Sequence, residues 1–334
     1  EFIFDLMYER KLKHSDRYTY NKFAEEFRNL DRPKLTQEID FSWQKIKRYF
    51  LTIQEWYEDP KWYHLIGYLV STGENLANLK EESEYTTKDN FEKYLHSRIR
   101  KRVQVDLDDL SYYGNKQEIW NVLLLFNVQT ILKSESADIK FPFHKLKSRK
   151  HWDIEHIASQ TNISFGSDNK RRAWISDVVD YLTGNQISSI ESEEKLTHLL
   201  PDDLNEISKQ FWECYYADKI DINEFDFIRR TIESYFKEDS IDPQLLDGIG
   251  NLAILDDYTN RSYKNALFPV KRKRIIKNDS TGVMVPLCTK NVFMKFYSGR
   301  LSDVMYWQDS DIKGYKDAIR KTLKEYLPKT TSNE

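Results

Sequence analysis

Apolar positions along the first half of this chain recur three and four residues apart, the period of one face of an α-helix. Residues 1–34 follow it with Tyr18, Tyr20, Phe23 and Phe27, and Pro33 is expected to mark the exit. Ile39–Phe41–Trp43–Ile46–Tyr49–Phe50–Ile53–Trp56 forms an aromatic stripe at the same spacing, closed by Asp59–Pro60. Aromatics spaced this way are expected to be core residues rather than a base-stacking or cofactor pocket. Lys61 to Val70 predicts a short helix closed by Ser71–Thr72–Gly73. Phe91–Tyr94–Leu95–Ile99 predicts an amphipathic helix with Arg98, Arg100, Lys101 and Arg102 at its end. Ile119 to Leu132 is apolar almost all round and reads as a buried central helix.

The period changes after Lys133–Ser134–Glu135–Ser136. Ile139 to Phe143 is extended in character and leads into a basic run from His144 to Lys150. Trp152–Asp153–Ile154–Glu155–His156–Ile157 then alternates apolar and polar, as a half-buried strand does. Helical spacing returns from about 168 to 240, and Asp247–Gly248–Ile249–Gly250–Asn251 breaks it. Leu252–Ala253–Ile254–Leu255 predicts a second short strand. A polar turn from Asp256 to Asn260 follows, then a helix through Lys271 to Ile276 and further helices at Phe293–Tyr297 and Tyr315–Tyr326. The fold is therefore expected to be mainly α, with a helical domain over 1–135 and a second domain over 136–334. In the second, two short strands and a helix are embedded in helices, with a helical insert at about 166–246.

Composition narrows the class. With 334 residues, 40% hydrophobic, 14% aromatic and ten glycines, the chain can bury a substantial core. Cys214 and Cys288 are isolated, so neither a zinc knuckle nor a disulfide framework is expected, and a cytoplasmic setting is the default. The formal net charge of -3 excludes a general polycation that coats nucleic acid, though not a local basic surface. No apolar run approaches a membrane span, so no membrane partner is expected. The chain opens at Glu1, without a Met, straight into Phe2–Ile3–Phe4, which suggests a protein entered part-way.

Two short strands and a helix carrying Glu155–His156, Asn251 and Asn260 are the parts of a ββα-metal nuclease finger. A neutral imidazole suits the work of taking a proton from water. A divalent cation beside it would stabilise charge developing on a phosphate, and a buried Asn can donate and accept at once to fix the loop. These blocks resemble a known family. Trp152–Asp153–Ile154–Glu155–His156–Ile157–Ala158–Ser159–Gln160, Ile249–Gly250–Asn251–Leu252–Ala253–Ile254–Leu255 and the run from Thr259 to Phe268 with Lys271–Arg272 look like the C-terminal HNH domain of GmrSD-like type IV restriction proteins. SspE-like phage-defence nucleases share that arrangement. The segment from Ile39 to Gly73, and the end from Val285–Pro286 to Tyr315, are similar to the surroundings of that domain.

The resemblance implies a metal-dependent DNA endonuclease of a restriction or anti-phage system. His156 would be the general base and Asn251 the middle residue of the catalytic triplet. Glu155 and Asn260 would hold Mg²⁺ or Mn²⁺, with Asn265 the competing final ligand. An Asn in place of the usual last His favours Mg²⁺ over Zn²⁺. The family's Asp-Gly-Gln-Gln-Arg type nucleotide motif is absent from these residues, so residues 1–135 would be the end of a nucleotide-sensing region or a linker. Nucleotide binding would then lie on a missing N-terminal part or a partner subunit. Lys271, Arg272, Lys273 and Arg274 are expected to grip DNA, modified or phage-derived, near the cut. Lys145, Lys147, Arg149 and Lys150 would form the other wall. One centre nicks, or cuts both strands as a homo-oligomer. The alternative is a catalytically degenerate DNA-binding or interaction module of such a system.

Overall fold

The structure, a computed structural model, describes all residues except 12, 135–138, 147–151, 160–164, 257–265, 300–302 and 330–334. It is mainly helical, and the described residues contain a single sheet of two strands. None of the described helices is long and apolar enough to cross a membrane. The pattern predicted one division at residue 135. By backbone contacts the chain forms two compact units, one of Glu1–Gln104 with Val128–Lys147 and one of Val105–Asn127 with Ser148–Glu334.

The first unit holds α1 (Phe2–Met7), α2 (Tyr18–Glu26), α3 (Arg32–Glu58), α4 (Pro60–Ser71), α5 (Leu76–Tyr85) and α6 (Lys88–Arg102). Pro33, expected to end a helix, instead lies in the first turn of α3, behind the cap that Asp31 gives to the Lys34 N–H. A proline there loses no hydrogen bond and its fixed φ suits a helix start. Asp59 and Thr87 cap α4 and α6 in the same manner as Asp31. The core packs Trp56 on Phe91, stacked at 5.5 Å, with Trp62, Leu65, Leu69 and Leu95 around them. His64 is a satisfied core histidine: one ring nitrogen meets the Pro60 carbonyl at 2.6 Å and the other the Phe141 N–H at 3.0 Å. The expectation that the α3 aromatics are core residues fails for most of them, since Phe41, Trp43, Phe50 and Tyr57 are exposed. Helical spacing reports that a face is apolar, not that something in the same unit covers it.

Helix α7 (Lys116–Leu132) belongs to the second unit up to Asn127 and to the first from Val128. It is buried on nearly every side from Ile119, as its composition predicts, and Asn127 is held by bonds to the Leu123 carbonyl and the Cys288 N–H. The second unit contains β1 (Trp152–His156) and β2 (Leu252–Asp256), paired antiparallel with Ile154 opposite Ile254 and His156 opposite Leu252. Between the strands run α8 (Asp168–Thr183), α9 (Glu193–Leu199), α10 (Ser208–Tyr216), α11 (Ile222–Tyr235) and α12 (Pro243–Leu246). Trp174, Val178, Phe211, Phe225, Ile228 and Phe236 give α8, α10 and α11 a common core, which Leu267 and Val270 join. Helix α13 (Phe268–Ser280) follows β2, and α14 (Leu287–Phe293) and α15 (Asp309–Thr322) complete the unit. Gly250 is required where it stands, because a Cβ there would strike the Ile312 carbonyl on α15.

Candidate active site

His156 ends β1, so its ring stands on the face opposite to Glu155, one residue earlier. The two side chains accordingly have different environments. On one face, His156 Nε2 lies 3.0 Å from Asp247 Oδ1. A carboxylate only accepts, so the imidazole donates Nε2–H and its lone pair is on Nδ1. The Tyr112 ring packs on the imidazole at 4.5 Å, and the Tyr112 N–H donates to the Asp247 carbonyl at 2.9 Å. Lys116 places its ammonium 4.2 Å over that tyrosine ring and is exposed. Burial pushes the His156 pKa down to about 4, against the Asp247 hydrogen bond that raises it and helped by the positive charges of Lys271 and Lys116. At neutral pH the ring is uncharged.

Asn251, between the 3-10 turn Ile249–Asn251 and β2, is fully buried and fixes the turn after His156. Its Oδ1 accepts from the Ala158 N–H at 2.9 Å, and its Nδ2 donates to the Ala158 and Leu246 carbonyls at 3.1 and 2.9 Å. The Ile157 N–H adds a bond to the Asn251 carbonyl at 2.8 Å. Asn251 therefore positions the chain that carries His156, the loop-fixing role a buried amide can fill.

Glu155 faces an ammonium. It is buried, and the Lys271 ammonium meets its Oε1 at 2.9 Å and the His156 carbonyl at 2.6 Å. Lys271 is 1% exposed and so cannot reach DNA as expected: the first turn of α13 carries it inward between Val270 and Arg272. Behind it lies Glu238, which accepts from the Phe268 N–H at 2.5 Å and the Ser159 N–H at 3.4 Å. Burial pushes the Glu238 carboxyl up to about 7 despite those bonds and the nearby Lys271 charge. Three other α13 cations are also turned to internal partners. Arg272 donates to the Phe293 carbonyl, Lys273 pairs with Asp180 at 2.7 Å and Arg274 pairs with Asp177, tying α13 to α8 and α14. Lys150, Asn260 and Asn265 lie outside the described residues.

The described residues do not by themselves fit Mg²⁺ or Mn²⁺. The carboxylate expected to bind it is engaged by an ammonium, and no group of three or more His, Cys, Asp or Glu side chains among the described residues is gathered to hold an ion. Asp247, Tyr112 and Lys116 were not anticipated from the sequence. Asp247 falls in the Asp247–Gly248–Ile249–Gly250–Asn251 break that precedes β2, and that position was the only available signal. Tyr112 and Lys116 arrive through an isolated bridge of Ser111 to Gly248, which no local pattern announces. No protein-family model, no curated protein and no solved structure matches the chain.

Proposed function

We propose that the second unit hydrolyses DNA phosphodiester bonds, with His156 as general base and Asp247 as the group that orients it. The observation that carries the reading is the 3.0 Å contact from His156 Nε2 to Asp247 Oδ1 at the end of β1, beside an exposed lysine. The imidazole takes a proton from water as the oxygen attacks phosphorus, and the leaving oxygen takes a proton from solvent as its bond to phosphorus breaks. Asp247 stabilises the imidazolium that results. An arriving phosphate raises the proton affinity of the ring, which compensates for its low starting pKa. Lys116 offers the phosphate a positive charge. Plasmid cleavage is to be compared in Mg²⁺, in Mn²⁺ and in EDTA. Loss of plasmid cleavage in His156→Ala with DNA binding retained supports the proposal, and undiminished cutting by that variant removes it.

A second reading, a non-catalytic DNA-binding or interaction module of a defence system, is favoured by one feature. Glu155 is paired with Lys271, and Lys273 and Arg274 are paired with aspartates of α8. Under that reading, DNA binding measured by fluorescence anisotropy is unaffected by His156→Ala and by EDTA, and no cleavage is seen in any arm.

A further inference from the structure

Helix α3 is 27 residues long, and only Ser42 and Trp56 along it are buried. Ile39, Trp43, Ile46, Phe50, Ile53 and Tyr57 recur at alternating steps of four and three, the 3.5-residue period of a coiled-coil seam. Trp43 is 62% and Phe50 54% exposed, while Ile46 and Ile53 are half-buried. The buried Ser42 and Trp56 lie on one flank of the seam, facing their own unit, and the exposed Asp40 and Lys47 lie on the other. So long an apolar strip, with two opposite charges on its open flank, is a surface built for another helix of the same period.

We propose that α3 is a dimerisation helix, and that two copies of this chain pair antiparallel through the seam about a two-fold axis. This goes beyond the proposed hydrolysis and does not depend on it. The residue sizes select the direction. A parallel pair would stack Trp43 on Trp43 and Phe50 on Phe50 in single layers, whereas an antiparallel pair sets each aromatic against an isoleucine. Charge selects the register. With the axis near residues 44 and 45, Ile39 meets Phe50 and Trp43 meets Ile46 of the second copy. Asp40 then comes within half a turn of Lys47 of the second copy, and symmetry makes the contact twice. Residue 45 is also the midpoint of α3, so the same register overlaps the whole helix. Arg32 falls beside Tyr57 and Glu58 of the second copy.

Sedimentation equilibrium of the full chain over a wide concentration range tests this. The wild type should fit a monomer–dimer equilibrium, and Phe50→Asp should raise the dissociation constant about 30-fold or more, as loss of an interface anchor does. Lys47→Asp alone should raise it about threefold to tenfold, and adding Asp40→Lys should restore it. Because these residues are exposed in the single chain, circular dichroism and melting of the dilute variants should match the wild type. A chain that stays monomeric throughout, whether or not another protein binds it, overturns the proposal. So does a dimer indifferent to Phe50→Asp. A charge swap that fails to restore association overturns the antiparallel register.

Discussion

The longest helix of the first unit and the interior of the second place apolar and charged groups in opposite ways. In the first, the longest helix presents Trp43, Phe50 and Tyr57 to solvent. In the second, Lys271, Glu155, Glu238, Lys295 and Asp311 are sealed inside. Both arrangements oppose the usual sorting by polarity, and each has a different consequence. Exposed apolar surface is stabilised by association. Buried charge gains little net stability even when paired, but it holds groups in one geometry. In the second unit that geometry is specific: Lys271 grips the carbonyl of His156, Asn251 grips the turn after it, and Glu238 grips the N–H groups of Ser159 and Phe268. Lys271, Asn251 and Glu238 thus converge on the end of β1.

Breaking the Lys271–Glu155 pair should have the largest effect. Lys271→Met strands a buried carboxylate and is expected to cost about 3–5 kcal/mol in urea unfolding. Adding Glu155→Leu should recover most of that loss. A Lys271→Met protein as stable as wild type would show that Glu155 is served by solvent.

Glu238 gives a pH signature. Its folded-state pKa is raised to about 7, so between about 4.5 and 7 the folded protein binds more protons than the unfolded chain. Stability from this group is full below 4.5 and declines as pH rises through 7, by on the order of 3 kcal/mol. His156 has the opposite sign: its folded pKa is lowered to about 4, so its contribution is full above 6.5 and is lost as pH falls toward 4. The two partly cancel in wild type. The difference between wild type and Glu238→Gln isolates the first, and a difference that stays flat from pH 4.5 to 8 would contradict it.

Asn251→Ala should cost about 2–3 kcal/mol, because it leaves the buried Ala158 N–H and the Leu246 carbonyl unsatisfied. Its amide resonances for Ile157 and Ala158 should shift while those of α3 stay in place. The smallest effect is expected at the surface pair of Lys273 with Asp180, where a double-mutant cycle should give under about 1 kcal/mol.

Much of the fold was legible because local period suffices for it. Both strands, the buried α7 and the helix after β2 lie where alternation and helical spacing predict them. The positions of His156 and Asn251 at the strand ends were legible for the same reason. What was not legible depends on side-chain direction and distance in sequence. The basic run of α13 reads as a phosphate grip, yet one turn of helix sends Lys271 inward, Arg272 to α14, and Lys273 and Arg274 to α8. Asp247 is 91 residues from His156, and no local pattern relates them. The α3 stripe is apolar as its period predicts, yet apart from Trp56 most of its aromatics are not core, because period carries no information about what covers a face.

A supercoiled-plasmid assay tests the proposed role of His156 most directly. Wild type, His156→Ala and Asp247→Asn would be compared in Mg²⁺, in Mn²⁺ and in EDTA, with DNA binding measured in parallel. The predicted result is conversion to open-circle or linear DNA by wild type and a loss of about 100-fold or more in His156→Ala, with binding intact. Cutting by His156→Ala at the wild-type rate would contradict it.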